Sequence, residues 1–422
     1  MRIKELEVKE RAILVGCGMK KQEWALRSTL EELGSLAETA QALPVRQVFQ
    51  FRDRIDPAWY IGRGKAEEIA GMVEELAIDL VIFDQELSPA QLRNLELLIP
   101  CKVIDRTQLI LDIFAQRART KEGKIQVELA QLKYLLTRLT GKGKEMSRLG
   151  GGIGTRGPGE KKLETDRRHI RRQIGLLTKQ LADIKKHRQL HQERRKKNRI
   201  PQVALVGYTN AGKSTLLNQL TGAEVLTENK LFATLDPTAR QLELPSGKEV
   251  ILTDTVGFIR QLPHHLVAAF RSTLEQVKEA DLLLHVVDAS HPEAEEQVEA
   301  VEQVLASLNA ADIPSLLVWN KADLMECDHP RGWDPDHLLI SAFNENDLNR
   351  LKEMMEQSLK QEMMIGQVEI PVMRGDWISL LYHKAEMIES NTDELTMSMK
   401  FRLSPADFEQ LPGELKSQIQ IQ

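Results

Sequence analysis

One nonapeptide combines residue types and a spacing suited to binding phosphate: Gly207, Tyr208, Thr209, Asn210, Ala211, Gly212, Lys213, Ser214 and Thr215. It fits the pattern G-x-x-x-x-G-K-[ST], a P-loop whose backbone N–H groups surround phosphate oxygens. An apolar run at residues 203–206 precedes it, and leucines at helical spacing follow it. This strand–loop–helix context predicts that Lys213 contacts the β- and γ-phosphates of a nucleotide and that the Ser214 hydroxyl ligates Mg²⁺.

A second candidate segment is Asp254, Thr255, Val256 and Gly257, which begins as the apolar run at residues 250–253 ends. A carboxylate at the end of a strand can hold the water shell of Mg²⁺. Gly257 has no side chain, so its backbone N–H can approach the γ-phosphate. We predict that all four residues contact the nucleotide and that Gly257 takes part in catalysis together with Lys213.

Two later segments indicate which base is bound. The Asp323 carboxylate can accept hydrogen bonds from N1–H and the 2-amino group of guanine, whereas adenine lacks that pair of donors and would leave the carboxylate unpaired. A backbone N–H near Ser341 can contact guanine O6. The residues predicted to contact the base are Asn320, Lys321, Ala322, Asp323, Ser341, Ala342 and Phe343. With the P-loop, these segments predict a GTPase in preference to an ATPase.

The chain must fold into several units to position these residues, because 422 residues exceed one ordinary core. Residues 1–118 alternate strand-like and helix-like runs, which predicts a small α/β domain. Residues 119–200 carry two heptad-like apolar ladders and predict an antiparallel helical hairpin. Residues 201–362 predict an α/β P-loop GTPase domain with a doubly wound, mostly parallel sheet. Residues 363–422 predict a small α+β domain.

Periodicity also predicts individual elements of the last two domains. In the P-loop domain we expect strands at residues 203–206, 250–253, 282–287 and 315–319 and a helix at residues 293–308. In the last domain we expect strands near residues 368–372 and 395–403, a helix at residues 377–388, and a final helix that Ser404 caps.

The hairpin is the basic part of an acidic chain. The net charge of the chain is −5, yet residues 141–200 hold 19 Lys/Arg and 6 Asp/Glu, a local balance of +13. The remaining residues therefore sum to −18. A basic segment at one defined place indicates a nucleic-acid surface, and a solvated helix face is the alternative reading of the same charges.

The loop between the two ladders, residues 149–162, contains six glycines and cannot hold a fixed fold unaided. Four basic residues lie in or beside it: Arg148, Arg156, Lys161 and Lys162. They favour a probe that becomes ordered on a phosphate-rich partner such as RNA. A flexible tether is the alternative.

Composition indicates the cellular compartment. Cys17, Cys101 and Cys327 are scattered, which predicts neither a disulfide framework nor a zinc site and fits a reducing compartment. No run approaches the roughly 20 apolar residues of a membrane span, and the first residues lack a signal-peptide core. We expect a cytoplasmic monomer with no transmembrane segment.

Three segments give the chain a resemblance to the HflX family of GTPases: residues 54–69 (RIDPAWYIGRGKAEEI), 150–168 (GGGIGTRGPGEKKLETDRR) and 232–240 (FATLDPTAR). The resemblance implies binding of GTP and GDP with Mg²⁺ and action on ribosomes, chiefly the large subunit and its rRNA. Family members are associated with splitting stalled ribosomes under stress. Some are reported to bind ATP through the N-terminal domain, so the resemblance also admits ATP there.

The resemblance makes Thr234 the switch threonine, a catalytic residue whose hydroxyl would join Ser214 as a Mg²⁺ ligand while the γ-phosphate is present. Thr238 is a competing candidate by spacing. The neighbouring residues implied to bind the nucleotide are Phe232, Ala233, Leu235 and Asp236. After Gly257, many GTPases place a glutamine that orients water, and this chain has Phe258. Because a phenyl ring makes no such hydrogen bonds, we expect slow intrinsic hydrolysis and a partner that completes the site.

The motifs predict a GTP-gated factor that hydrolyses GTP, and the resemblance implies that it acts on the large ribosomal subunit and splits or rescues stalled ribosomes. Two alternatives belong to other classes. One is a signalling GTPase that acts on a protein effector, with the hairpin as a solvated scaffold. The other is an RNA-remodelling enzyme driven by ATP at the first domain.

Overall fold

The computed structural model describes residues 9–139, 158–198, 200–222, 231–260, 277–325, 337–361, 364–393, 395–403, 407–408 and 411–421. Three sheets organise these residues, and a long helical pair joins the first sheet to the second. The predicted α/β fold class is confirmed. No helix within the described ranges is both long and apolar enough to cross a membrane.

The first sheet is parallel, with strand order β2-β1-β3-β4. Strand β3 is buried at every position, as expected for a parallel sheet covered on both faces. The elements in chain order are β1 Arg11–Gly18, α1 Glu23–Thr39, β2 Leu43–Phe51, α2 Arg63–Glu75, β3 Leu80–Phe83, α3 Pro89–Leu98, β4 Lys102–Asp105 and α4 Arg106–Arg117. Helix α4 was not predicted, and it begins where the Asp105 carboxylate accepts a hydrogen bond from the backbone N–H of Gln108.

Two helices form the hairpin, α5 Lys121–Arg138 and α6 Pro158–Asn198. The apolar ladders predicted from the sequence meet along one seam, formed by Ile125, Leu129, Leu132, Ile174, Leu177, Leu181 and Ile184. Helix α5 also packs against α4 through a second set of buried residues, so the hairpin is anchored to the first domain.

The second sheet has six strands in the order β10-β9-β8-β5-β7-β6, and β6 alone among them pairs antiparallel. Its elements are β5 Gln202–Gly207, α7 Lys213–Thr221, β6 Thr238–Glu243, β7 Glu249–Asp254, β8 Leu282–Asp288, α8 Ala294–Ser307, β9 Ser315–Asn320, β10 Leu338–Leu339 and α9 Glu345–Gln361. The four predicted strands and the helix at residues 293–308 are confirmed, and β6 and β10 are additional. The carboxyl ends of β5, β7, β8 and β9 meet at one edge, the usual ligand position in such sheets.

The third sheet is antiparallel in the order β12-β13-β11-β14. Its elements are β11 Met364–Pro371, α10 Gly375–Lys384, β12 Glu386–Thr392, β13 Thr396–Leu403, α11 Gly413–Lys416 and β14 Gln420–Ile421. The helix predicted at residues 377–388 ends early, at Lys384, because Ala385 is extended and the chain turns into β12. Strand β12 pairs antiparallel with the next strand, β13, and this pairing overrides the helical spacing of residues 385–388. Ser404, the predicted cap, lies outside the described residues.

A buried polar contact joins the first domain to the P-loop domain. Arg106, at the start of α4, is 2% exposed, and its Nη2 donates to Glu32 Oε1 of α1 at 2.8 Å and to the Arg260 carbonyl oxygen at 3.0 Å. Glu32 Oε2 accepts from the Tyr208 hydroxyl of the P-loop at 2.9 Å. The Tyr208 hydroxyl oxygen accepts from the Arg260 backbone N–H at 2.7 Å. One glutamate therefore connects three segments.

We expect Glu32→Gln to destabilise this interface, because it leaves the Arg106 guanidinium buried without its counter-charge. Breaking one partner of a buried ion pair costs roughly 3–5 kcal/mol. Urea denaturation should show a lower free energy of unfolding for the transition that includes the N-terminal domain. The exposed neighbour supplies the control, since Glu31→Gln changes the same charge on the same helix and should leave that free energy unaltered. Equal free energies for the two variants would contradict the assignment.

Candidate nucleotide site

The P-loop needs glycine at two positions because other backbones lie too close for a side chain. Gly207, the last residue of β5, has φ +148°, and a Cβ there would lie 2.1 Å from the Val286 carbonyl oxygen. Gly212 has φ +95°, and a Cβ there would lie 2.3 Å from Asn320 Nδ2. Both torsions are in the region that glycine adopts most readily. The loop is thus fixed against β8 and β9.

Lys213, the first residue of α7, folds back over the loop that precedes it. Its Nζ donates to the Gly207 carbonyl oxygen at 3.0 Å and to the Tyr208 carbonyl oxygen at 2.7 Å, and the side chain is buried. Burial lowers the pKa of Lys213 to about 8, and the nearby Asp254 carboxylate opposes that shift. A buried ammonium group at a helix N-terminus is suited to anionic oxygens.

Two hydroxyls and one carboxylate meet beside Lys213. Ser214 Oγ donates to Asp254 Oδ2 at 2.6 Å, Thr234 Oγ1 donates to the same oxygen at 2.8 Å, and the two hydroxyl oxygens are 2.8 Å apart. Thr238, the alternative to Thr234, begins β6 and pairs with Asp254 through the sheet register. The structure thus places the Thr234 hydroxyl next to the Ser214 hydroxyl.

This oxygen cluster fits a hard divalent cation. Within the described residues, Asp254 Oδ1 is buried and has no hydrogen-bond partner. Burial raises the pKa of the Asp254 carboxyl, while Lys213, the two hydroxyls and a backbone N–H each oppose that rise. Hydroxyl and carboxylate oxygens are the ligands that Mg²⁺ prefers, usually together with waters and phosphate oxygens. Ser214, Thr234 and Asp254 could therefore hold Mg²⁺ or its water shell.

Gly257 and Phe258 fasten the end of β7 to the P-loop. The Thr209 N–H donates to the Phe258 carbonyl oxygen at 2.7 Å, and the Phe258 N–H donates to the Gly207 carbonyl oxygen at 3.1 Å. A Cβ at Gly257 would lie 2.8 Å from Thr209 Cα and 3.0 Å from Lys213 Nζ. The Phe258 ring is 2% exposed and belongs to the apolar core beneath the site. The ring is therefore part of the packing that supports the site.

Asn320 connects the P-loop to the segments predicted to bind the base. Its Nδ2 donates to the Ala211 carbonyl oxygen at 3.0 Å, and its Oδ1 accepts from the Ala342 N–H at 3.1 Å. The exposed Asp323 carboxylate accepts from Ser341 Oγ at 2.6 Å. These contacts place a carboxylate and a backbone N–H close together beside the loop, where they can recognise a purine edge.

Lys321 has the left-handed backbone torsion φ +65°. Its Nζ forms an ion pair with Asp288 Oδ2 at 2.6 Å. The pair joins the ends of β8 and β9, and it was not predicted from the sequence.

Most predicted phosphate-site residues line one cavity at this edge of the sheet. Its lining consists of Thr209, Asn210, Gly212, Lys213, Ser214, Thr215, Phe232, Ala233, Thr234, Thr255 and Gly257. Among the predicted residues that do not line this cavity, Leu235 and Val256 are buried in the core, Phe343 is 73% exposed, and the Asp236 carboxylate binds the start of α5.

The predicted RNA contacts lie largely beyond what the structure describes. Arg148 and Arg156 fall outside the described residues. Lys161 and Lys162 belong to α6, where the structure describes their backbone but not their side chains. Lys65, in the segment at residues 54–69 that carries the resemblance, lies in the first turn of α2, where its Nζ pairs with Glu68 at 2.8 Å.

Sequence reasoning missed the residues that support the site from the first domain. They are Ser28, Glu32, Arg106, Phe114 and Thr120, all more than 80 positions before the P-loop. Ser28 Oγ donates to Glu293 Oε2 at 2.7 Å, and Arg260 Nη1 pairs with the same oxygen at 3.0 Å. The available sequence signal was weak: Thr120 precedes a periodic run and could have been identified as a helix cap.

Three families match consecutive parts of the chain. Residues 27–115 match the family described as "GTP-binding GTPase N-terminal", and residues 117–195 match "GTP-binding GTPase Middle Region". Residues 202–321 match "50S ribosome-binding GTPase".

Curated relatives match nearly the whole chain. The protein named GTPase HflX from Caldanaerobacter subterraneus subsp. tengcongensis is 54% identical over 392 residues, which cover 93% of this chain and 90% of that protein. The protein of the same name from Escherichia coli is 44% identical over 389 residues, covering 90% of this chain and 91% of that protein. Among solved structures, a complex of SsGBP with GDP is 28% identical with a TM-score of 0.47, covering 83% of this chain and 99% of that chain.

We expect Gly257→Ala to slow nucleotide hydrolysis at least roughly tenfold, equivalent to about 1.4 kcal/mol in the barrier. The new methyl group would meet Thr209 Cα, a backbone atom that cannot move aside, and would displace the predicted γ-phosphate contact. Single-turnover kinetics measure the effect. Gly71→Ala is the control, because a methyl group there meets nothing within 4 Å. Equal rates for Gly257→Ala and the unmodified chain would remove Gly257 from the site.

Asp323→Asn should reduce the preference for guanine, because an amide cannot accept both hydrogen bonds from the base. We expect the dissociation constant for GDP to rise roughly tenfold or more, since an unsatisfied polar group costs about 1–3 kcal/mol. Calorimetry with GDP and ADP measures the preference. The control Asp312→Asn changes an exposed aspartate that lies three residues before the start of β9, whereas Asp323 follows its end. Unchanged selectivity in Asp323→Asn would show that another group reads the base.

Proposed function

Because the chain belongs to the HflX family of GTPases and hydrolyses GTP, we propose that GTP gates its binding to the large ribosomal subunit. The proposed outcome is the splitting or rescue of stalled ribosomes under stress. The observation that carries the proposal is the direct connection between the basic helix α6 and β5, the strand that leads into the P-loop. In this arrangement the proposed RNA-binding helix leads, after a few residues, into the strand that carries the P-loop.

Specific roles follow for the residues around the cavity. Lys213 would contact the β- and γ-phosphates, Ser214 and Thr234 would ligate Mg²⁺, and Asp254 would hold its water shell. Bound Mg²⁺ supplies charge neutralisation across the β- and γ-phosphate oxygens. The Gly257 N–H would approach the γ-phosphate, so that Thr234 and Gly257 sense whether that phosphate is present.

Slow hydrolysis by the isolated chain is part of the proposal. Phe258 occupies the position at which a water-orienting side chain would lie, and its ring is buried in the core. A hydrocarbon ring neither donates nor accepts the hydrogen bonds that such a water needs. We therefore expect the ribosome to supply or position the missing group and to accelerate hydrolysis.

The basic loop is the proposed contact with rRNA, through Arg148, Arg156, Lys161 and Lys162. Basic residues on phosphates give binding that weakens steeply as the salt concentration rises.

We propose that the chain consists of the four predicted domains, residues 1–118, 119–200, 201–362 and 363–422. The chain would act as a monomer in the cytoplasm, where its ribosomal partner is found.

Co-sedimentation with purified ribosomal subunits tests this function. With a non-hydrolysable GTP analogue, the chain should pellet with the large subunit, and with GDP it should remain in the supernatant. Arg156→Ala combined with Lys161→Ala should weaken pelleting and reduce the slope of log affinity against log salt by about one to two.

A matched control removes the same charge elsewhere. Lys20→Ala combined with Arg46→Ala changes two exposed basic residues of the N-terminal domain and should pellet as the unmodified chain does. The proposal fails if no subunit binds in a nucleotide-dependent manner. It also fails for the loop if both double variants show the same salt dependence.

A further inference from the structure

The segment that carries Thr234 is fastened to the first domain on its N-terminal side through an aromatic contact. The Phe232 ring packs against the Phe114 ring of α4, with centroids 4.7 Å apart and planes at 77°. Phe232 is buried and has φ +54°, the left-handed region. That torsion is strained for a residue that has a side chain. The packing around Phe232 must therefore hold the backbone in this conformation.

On the C-terminal side of Thr234, the anchor is the Asp236 carboxylate. Its Oδ2 accepts from the backbone N–H groups of Arg119 at 2.7 Å and Thr120 at 2.8 Å, and its Oδ1 accepts from Thr120 Oγ1 at 2.5 Å. Thr120 is the N-cap of α5, so the negative charge lies at the positive end of a helix of 18 residues. Hydrogen bonds to an ionised carboxylate are stronger than neutral ones.

The first turn of α5 is shaped to admit this carboxylate. A Cβ at Gly123 would lie 2.4 Å from Asp236 Oδ1, so no side chain fits there while the contact exists. The Gly123 N–H donates to Thr120 Oγ1 at 2.9 Å, which leaves the threonine hydroxyl hydrogen for Asp236. Asp236 therefore interacts with a prepared pocket on the helix and is not in a chance surface contact.

Phe232 and Asp236 lie on either side of Thr234 in the sequence, and both bind residues at the corner between α4 and α5. Phe114 is near the end of α4, and Thr120 caps α5. From this suspended segment the Thr234 hydroxyl reaches Asp254 Oδ2 and Ser214 Oγ, each at 2.8 Å. A displacement of the corner would displace Thr234 relative to the P-loop.

We propose that Asp236 is a positioning residue for GTP hydrolysis, which sets the place of the Thr234 hydroxyl by holding the first turn of α5. The proposal rests on the proposed role of Thr234 in the GTP-bound state. Asp236 acts through Thr234 and does not touch the nucleotide. Since Thr234 contributes only while the γ-phosphate is present, loss of this anchor acts on hydrolysis and leaves GDP binding intact.

Single-turnover hydrolysis of GTP, with the full chain in excess and no ribosomes, tests the proposal on Asp236→Asn and Thr120→Val. Each variant should hydrolyse roughly 10- to 100-fold more slowly than the unmodified chain. The dissociation constant for GDP, measured by calorimetry, should stay within about twofold. A wild-type rate in Asp236→Asn overturns the proposal, and so does a loss of GDP affinity that matches the loss of rate.

Two control variants separate positioning from a general loss of stability. Thr120→Ser keeps the hydroxyl and should hydrolyse GTP at the wild-type rate. Ser88→Ala removes an N-cap of the same kind from α3, where the Ser88 side chain accepts from the Gln91 N–H. It should destabilise the fold and leave the rate of hydrolysis unchanged. A rate in Ser88→Ala as low as in Thr120→Val would overturn the positioning role.

A double-mutant cycle identifies the path of action. If Asp236 works through Thr234, then adding Asp236→Asn to Thr234→Ala produces no further loss of rate. Full additivity overturns the proposal. A normal rate in Thr234→Ala would refute the proposed role of Thr234 and this proposal with it, whereas slow Thr234→Ala with normal Asp236→Asn refutes this proposal alone. Because the assay contains no ribosomes, failure of subunit pelleting leaves its result standing.

Discussion

The ammonium group of Lys213 is held inside the loop that it completes, by the carbonyl oxygens of Gly207 and Tyr208. These bonds fix the shape of the loop around an ammonium group at the N-terminus of α7. Adjacent segments then build on that fixed shape. The Asn320 side chain donates to the Ala211 carbonyl oxygen of the loop. The backbone of Phe258 accepts from the Thr209 N–H and donates to the Gly207 carbonyl oxygen. The nucleotide site is therefore preorganised by its own backbone.

The same loop is also in contact with the first domain. Tyr208 offers its hydroxyl to Glu32, and that hydroxyl accepts from the backbone of Arg260, just beyond Phe258. Arg106 completes the set by donating to the Arg260 carbonyl oxygen. An isolated P-loop domain would keep the bond between Tyr208 and Arg260 but lose Glu32 and Arg106. The first domain thus contacts both the P-loop and the segment that follows β7.

Local chemistry explains what could be predicted from the sequence. The P-loop and the segment at Asp323 are short, contiguous and preceded by apolar strands, so their spacing alone indicates their role. The helix predicted at residues 377–388 was too long because its periodicity continued into β12, where pairing with the next strand, β13, determined the outcome. Asp236 was assigned to the nucleotide because it lies two residues after Thr234 in the segment that carries the family resemblance. Its partner Thr120 is 116 positions away, and no local pattern reports such a contact.

The hairpin has two attachments to the nucleotide domain, one through each helix. Helix α5 holds the segment of Thr234 through Asp236, whereas α6 continues almost directly into β5 and the P-loop. At 1.5 Å per residue, α6 is about 60 Å long. The two helices are therefore attached on opposite sides of the contact between Thr234 and Ser214, α5 to the segment of Thr234 and α6 to the strand before Ser214. A displacement of α5 along α6 would move these two hydroxyls relative to each other.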